Sequence, residues 1–194
     1  PAMVEAMLGE PSHVSRAVFV PDHNTAAVVM RSIYQTHGQI WTLVVPKADG
    51  VADLFTPDEA VRLLDQGAVR LDWAGHRVGD QRVVLTAIGA YQLEEVLRAS
   101  ARLAESDVPH SVVCMLEPGR FRSPRNEGER LHLAPAEVRN DLYPDSVSPR
   151  VFVSHTRPEP LLGALQPLHT GHQSTGGLGF IGNGGTLTVP GLLF

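Results

Sequence analysis

The residue best placed to do chemistry is Lys47, which follows the apolar run Ile40–Val45 and Pro46. The run predicts a parallel strand covered on both faces, and such strands end at the edge of a sheet where ligands bind. There Lys47 would present an ammonium group to anionic ligands, because a lysine binds phosphate as a point charge. A solvated lysine in a loop fits the spacing equally well.

A second pair of chemically capable residues is His169 and His172. Two histidines three positions apart on a helix could share a metal ion, but Gly171 between them disfavours a helix. The chain lacks the glutamate of the metalloprotease pattern and has no cysteine pair. We therefore expect loop histidines with hydrogen-bonding roles and no metal site.

Two further segments have some capacity to bind phosphate. The glycine-rich stretch 176–185 could do so through backbone N–H groups, but it matches neither common nucleotide-binding motif. We expect it to be a turn that needs glycine backbone angles. Residues 117–130 alternate arginine with glutamate, which predicts a solvated loop and a second candidate for anion binding. Its charged residues include Arg120, Arg122, Arg125, Glu127, Glu129 and Arg130.

The first fifty residues have the pattern strand, helix, strand. Arg16–Val20 and Ile40–Val45 predict strands from their apolar content. Between them, Asp22 or Asn24 caps a helix that ends at Gly38. The pattern is that of a βαβ unit with Lys47 after its second strand.

The remaining elements continue the alternation of helices and strands. The segment from Thr56 to Glu59 is a capping box that begins a short helix, and Gly67 ends that helix. A second βαβ unit of ordinary length follows, and the least regular part is the tail from His169 to Gly185. The predicted strands are Val69–Trp73, Arg82–Ala87, Val108–Leu116 and Val151–Ser154, and the predicted helices are Tyr91–Ser106 and Pro158–Leu165.

Composition narrows the class of protein. The chain has 194 residues, of which 43% are hydrophobic, so it can bury a substantial core. A net charge of −5 with scattered cations argues against a nucleic-acid partner. The single cysteine, Cys114, is expected to pack as a small apolar group. We expect no membrane partner and a cytoplasmic location.

The element order predicts an α/β protein in three parts. Residues 1–50 are the end of one α/β domain, residues 51–80 are a linker with a short helix, and residues 81–194 are a second α/β domain truncated at its end. The boundary is placed near Asp80. Because the chain starts without methionine and stops on apolar residues, we expect it to be a segment of a longer polypeptide.

Several motifs resemble those of phosphoketolases in sequence order. The run VFVPDHNTA, a helix and then LVVPK resemble the end of that family's pyrimidine-binding domain, where a PPDANT turn and a strand closing on VAGK occupy these places. Leu71-Asp72-Trp73-Ala74 and the stretch 185–190 resemble the family's WDWA-like and GTTTTP motifs. The βαβ unit from Val83 to Leu116 resembles the carboxyl-terminal domain shared with transketolase.

The resemblance implies a function for a parent enzyme. Such an enzyme would be a lyase of carbohydrate metabolism that uses thiamine diphosphate and magnesium to cleave xylulose 5-phosphate or fructose 6-phosphate. It would be a homodimer, and the cofactor would bind to the remainder of the parent polypeptide. Only Lys47 matches a functional residue of the family, the lysine that contacts the substrate phosphate. The resemblance thus implies that this chain binds no cofactor, lacks catalytic residues and is inactive alone.

Other functions stay open at this stage. One is a divergent sugar-phosphate enzyme of the same fold, for example an epimerase. Another is a self-contained α/β module that binds an anion or nucleotide at Lys47 and the glycine-rich tail. A third is an assembly domain without a ligand.

Overall fold

The computed structural model describes residues 2–47, 53–171 and 173–180. Its strands form two sheets, a parallel pair β1-β2 and a five-stranded sheet in the order β3-β5-β4-β6-β7. The helices are α1 (Ala2–Gly9), α2 (His23–Gln35), α3 (Pro57–Gln66), α4 (Ala90–Glu105), α5 (Glu127–His132), α6 (Ala136–Leu142) and α7 (Pro158–Ala164). The strands are β1 (Ser15–Phe19), β2 (Ile40–Val44), β3 (Ala68–His76), β4 (Val83–Ile88), β5 (His110–Met115), β6 (Arg150–Ser154) and β7 (Thr175–Leu178).

The predicted βαβ unit at the start of the chain is confirmed. β1 and β2 pair in parallel, with Ser15 opposite Ile40 and Phe19 opposite Val44. Asp22 caps α2, as its type and position predict. One expectation is wrong, because β2 is only partly buried and Ile40 is 58% exposed, whereas every residue of β1 is buried.

The capping box at the start of α3 is also confirmed. The Thr56 side chain accepts a hydrogen bond from the Glu59 backbone while the Glu59 side chain accepts one from the Thr56 backbone. Gly67 ends this helix with φ at 80°, a left-handed conformation that favours glycine. The strand that follows is longer than the predicted Val69–Trp73, and it pairs antiparallel with β5. The segment 51–80 therefore supplies an edge strand of the larger sheet, while the division into domains stays a prediction.

The larger sheet has the mostly parallel α/β architecture that the sequence predicts. Strands β5, β4, β6 and β7 run parallel and only β3 is antiparallel. The helix α4 connects β4 to β5 and packs against both, so the predicted βαβ unit is confirmed. Because the four parallel strands end at the same side of the sheet, the residues that follow them share one edge.

The two sheets pack against each other through a common core. Phe19 of β1 lies in one buried apolar cluster with Met115 of β5 and Phe152 of β6. The Phe19 backbone N–H also donates to the carbonyl oxygen of Leu116 at 2.8 Å. The smaller sheet is thus held against the carboxyl end of β5.

Two segments expected to be irregular contain regular structure. The stretch 117–130, predicted as a solvated loop, includes a 3-10 helix (Pro118–Phe121) and the start of α5. Within the tail from His169, residues Thr175–Leu178 form β7 and pair in parallel with β6.

In the described part of the chain no helix is long and apolar enough to cross a membrane.

Candidate anion-binding site

The turn that follows β1 is fixed by Asp22, which is 3% exposed. One carboxylate oxygen of Asp22 accepts the Thr25 N–H at 2.9 Å, and the other accepts the N–H groups of Leu54 and Phe55, each at 2.8 Å. These bonds tie the start of α2 to the segment that leads into α3. Asp22 therefore shapes the loops that follow β1 and β2.

Lys47 lies just beyond the carboxyl end of β2, and its side chain is exposed. The Lys47 backbone N–H donates a hydrogen bond to the Tyr91 hydroxyl oxygen at 3.1 Å. Tyr91 stands in the first turn of α4, directly after β4. This bond places Lys47 against the carboxyl edge of the larger sheet.

A second basic residue, His155, occupies the same edge. Ser154 is the last residue of β6 and pairs with Ile88, the last residue of β4, so His155 and Gly89 leave adjacent strands at the same level. Burial is the main cause that lowers the pKa of His155, and the positive charge of Lys47 adds to it. The charge of Lys47 therefore acts on His155.

The turn that carries His155 is held by hydrogen bonds on both sides of it. The Thr156 backbone N–H donates to the Ser154 hydroxyl oxygen at 2.9 Å, and the two hydroxyl groups are 2.7 Å apart. Both residues are buried, whereas His155 between them is half-buried. The backbone geometry thus holds the imidazole at the surface of the sheet edge.

The described part of the glycine-rich segment passes beside this turn. Phe180 N–H donates to the Thr156 carbonyl oxygen at 3.1 Å. A Cβ atom added at Gly179 would lie 2.1 Å from the same oxygen, so only glycine permits this approach. This supports the expectation that glycine serves a close turn here. Residues 181–185 lie outside the described residues.

The histidine pair of the tail does not form a described site. His169 is exposed and follows a short 3-10 helix (Gln166–Leu168), while His172 lies outside the described residues. Within residues 2–47, 53–171 and 173–180, no group of three or more His, Cys, Asp or Glu side chains is arranged to hold a metal ion.

The arginines expected in a solvated loop make internal contacts instead. Arg120 donates to the Leu64 carbonyl oxygen at 3.0 Å, and Arg122 donates to the Leu8 carbonyl oxygen at 3.0 Å. Arg125 bonds to the buried carboxylate of Glu129 at 2.7 Å. Arg130 alone of the four follows the prediction, since it pairs with Glu127 on the surface. These internal contacts make the arginine segment a poor candidate for anion binding.

Cys114 is buried in β5, as predicted from its apolar neighbours. Burial raises the pKa of its thiol well above the usual range. A thiol in this state is a weak nucleophile, so Cys114 serves packing.

Sequence reasoning missed Tyr91 and His155. Both lie directly after strands that the sequence predicts correctly, so the rule that selected Lys47 could also have selected them. What the sequence does not contain is the contact between β2 and the second sheet. Without that contact, nothing indicates that these residues lie near Lys47.

Comparisons with known proteins identify the fold. No family model and no curated protein matches the chain. A transketolase from Leishmania mexicana matches with a TM-score of 0.61 and 15% identity, covering 92% of this chain and 22% of its own. Two Pichia stipitis transketolase structures, a mutant and a complex with sedoheptulose 7-phosphate, match with a TM-score of 0.54 and 14% identity, covering 84% of this chain and 20% of theirs.

These matches are too distant in sequence to show more than the fold. The chain spans about a fifth of the length of the transketolases it matches. Its mostly parallel five-stranded sheet with flanking helices matches the arrangement of a transketolase carboxyl-terminal domain. The chain therefore has a transketolase-like fold.

Proposed function

We propose that this chain is the carboxyl-terminal segment of a thiamine-diphosphate-dependent, phosphoketolase-like enzyme that cleaves xylulose 5-phosphate or fructose 6-phosphate. In this proposal Lys47 binds the substrate phosphate. The position of Lys47 at the meeting point of two sheet edges in a transketolase-like fold carries the proposal. The complex of a related fold with a ketose phosphate supports the substrate class.

Electrostatics favours an anion at Lys47. It is the only lysine among the sixteen basic residues of a chain with net charge −5. Within the described part of the chain, no ion pair joins the Lys47 ammonium group to a carboxylate. A positive charge without a local counter-ion attracts phosphate more strongly than a paired one.

The unpaired edge of β2 supports the proposal that the rest of a parent polypeptide packs against this chain. Among the described residues, no strand pairs with the edge of β2 that faces away from β1. Parallel sheets are usually covered on both faces, yet Ile40 and Val45 are 58% and 55% exposed. We propose that further strands of the parent enzyme extend this sheet and that the parent is a homodimer.

Cofactor binding is assigned to other parts of the parent enzyme. No group of three or more His, Cys, Asp or Glu side chains among the described residues is arranged to hold a metal ion, and we assign magnesium and the diphosphate to the remainder of the parent polypeptide. We derive no catalytic step from this chain. Thiamine diphosphate would supply an electron sink for the cleavage, while Lys47 would bind and orient the substrate.

The direct test uses the complete polypeptide that contains this chain, supplied with thiamine diphosphate and magnesium. We expect Lys47→Ala to raise the KM for xylulose 5-phosphate by about 10- to 100-fold, because a charge-assisted contact is lost. Arg31→Ala is the control, since it removes an exposed positive charge from α2, away from the strand ends. An unchanged KM in Lys47→Ala would remove this residue from the site.

A second test separates this proposal from a self-contained cofactor-binding module. The isolated chain is heated with and without thiamine diphosphate and magnesium, and its Tm is recorded. We expect no change, because the proposed cofactor site lies elsewhere. A Tm that rises with cofactor concentration would show binding by this chain and contradict the proposal.

A further inference from the structure

The carboxyl edge of the larger sheet carries His155 and lies against the segment that carries Lys47. Ile88 and Ser154 pair at the ends of β4 and β6, so the segments that carry Tyr91 and His155 leave neighbouring strands together. Adjacent strands lie about 5 Å apart, which makes these segments close neighbours. The Tyr91 hydroxyl oxygen then accepts the Lys47 N–H at 3.1 Å. The segments that carry Lys47 and His155 thus lie at the same edge, and the charge of Lys47 acts on His155.

The charges around His155 are mostly positive. Lys47, just beyond the end of β2, is close enough for its positive charge to act on His155. The next residue, Arg157, pairs with Glu5 of α1, and this bond neutralises both partners. In the part of the chain that the structure describes, no carboxylate forms an ion pair with Lys47 or His155.

Two basic groups that converge without a carboxylate repel each other. Burial and the positive charge of Lys47 lower the pKa of His155, so the imidazole is mainly neutral near pH 7. A doubly charged anion at Lys47 would reverse this balance, because it attracts a proton to the imidazole as well as contacting the ammonium group. The arrangement fits a ligand whose negative charge exceeds one.

We propose that His155 is the second anion-binding residue of the Lys47 site and takes up a proton from solvent when a dianionic group, such as a phosphate monoester, binds there. The inference rests on the proposed function in one respect, since it takes Lys47 as an anion-binding residue. It adds a second binding residue to the site, a preference for dianionic ligands and a dependence of binding on pH. No covalent bond forms or breaks in this step.

The experiment uses the full 194-residue chain and sulfate as the probe. Sulfate keeps two negative charges over the range in which histidine titrates, so any change of affinity with pH belongs to the protein. Reductive methylation with ¹³C-formaldehyde labels Lys47 as the only lysine, and its methyl NMR signals report binding. The imidazole proton signals report the pKa of His155, which is identified as the signal lost in His155→Gln.

Thermodynamic linkage between sulfate binding and protonation of His155 determines the expected results. If sulfate raises the pKa of His155 by about one unit, its affinity must fall about tenfold in total as pH rises from below the pKa of the free protein to above that of the complex. His155→Gln should bind sulfate with an affinity that is independent of pH. In Lys47→Gln, sulfate should no longer shift the pKa of His155. His155→Asn replaces His155→Gln if that variant fails to fold. The pKa titration of the wild-type chain tests the inference without any substitution.

The outcomes distinguish the two proposals. If sulfate perturbs the Lys47 methyl signals but leaves the pKa of His155 unchanged, the inference is overturned and the role of Lys47 stands. If sulfate perturbs neither group at tens of millimolar, the inference is also overturned. If both groups respond to sulfate while Lys47→Ala leaves the KM of the complete enzyme unchanged, the inference holds and the proposed function fails.

Discussion

Arg16 and Glu117 form a buried, two-pronged ion pair that joins the two sheets. Arg16 Nε donates to one carboxylate oxygen at 3.0 Å and Arg16 Nη2 donates to the other at 2.7 Å. Arg16 belongs to β1, while Glu117 follows β5, so the pair crosses the junction between them. His132 Nε2 lies 2.9 Å from the same carboxylate, and the Arg16 guanidinium carbon lies 3.7 Å from the centre of the Trp41 ring.

This pair should be costly to break. Burial favours the neutral form of Glu117, but the hydrogen bonds from His132 and Arg16 hold its pKa below the usual range. Glu117→Gln would leave the Arg16 charge buried without a counter-ion, so we expect the free energy of unfolding to fall by about 3–5 kcal/mol. Urea denaturation at neutral pH measures this change.

The control for this prediction is an exposed ion pair. Arg98 pairs with Glu95 on the surface of α4, and Arg98→Gln should change the free energy of unfolding by less than about 1 kcal/mol. If Glu117→Gln is no more destabilising than Arg98→Gln, the Arg16–Glu117 pair does not hold the sheets together.

Glu129 predicts how stability depends on acid pH. Its side chain is fully buried, and the hydrogen bond from Arg125 is the main cause that lowers the pKa of Glu129 to about 2. Since the pKa in the unfolded chain is higher, the stabilisation is complete above about pH 5 and is lost as pH falls toward about 2. We expect this group to account for about 3 kcal/mol of that loss.

Urea denaturation of wild type and Glu129→Gln at several pH values tests the assignment. The variant should be less stable than wild type near neutral pH, and the difference should shrink as pH falls. Glu127→Gln is the matched control, because Glu127 lies two positions away on the same helix but is exposed. A difference between wild type and Glu129→Gln that does not change with pH would contradict the assignment.

The close approach of Gly179 to Thr156 predicts that a side chain at position 179 destabilises the protein. A Cβ atom at this position would lie 2.1 Å from the Thr156 carbonyl oxygen, so Gly179→Ala must push the tail away from the turn that carries His155. We expect a loss of about 1–3 kcal/mol in the free energy of unfolding. Thermal and urea unfolding measure it.

Gly176 supplies the control for Gly179. A Cβ atom at Gly176 has nothing within 4 Å, so Gly176→Ala should be neutral or slightly stabilising. Equal effects of the two substitutions would show that the close approach of Gly179 to Thr156 does not matter for stability.

The sequence predicts those features of the fold that depend on neighbours along the chain. The capping box at Thr56 and the cap at Asp22 are local, and both are confirmed. The burial of Glu129 depends on Ser12, whose N–H it accepts from 117 positions away, and an alternation of Arg and Glu does not reveal such a partner. Likewise, Tyr91 meets Lys47 across 44 positions, so their proximity has no local signature in the sequence.

Tyr91 should control the order of the backbone at Lys47. Tyr91→Phe removes the hydroxyl oxygen that accepts the Lys47 N–H and leaves the aromatic ring in place. We expect amide hydrogen exchange at Lys47 to rise about fivefold, because the bond contributes about 1 kcal/mol. Tyr34→Phe is the matched control, since Tyr34 on α2 is 81% exposed. If the Lys47 amide exchanges equally fast in wild type and Tyr91→Phe, the link between the two sheet edges does not order the site, and Lys47 must be positioned by its own loop.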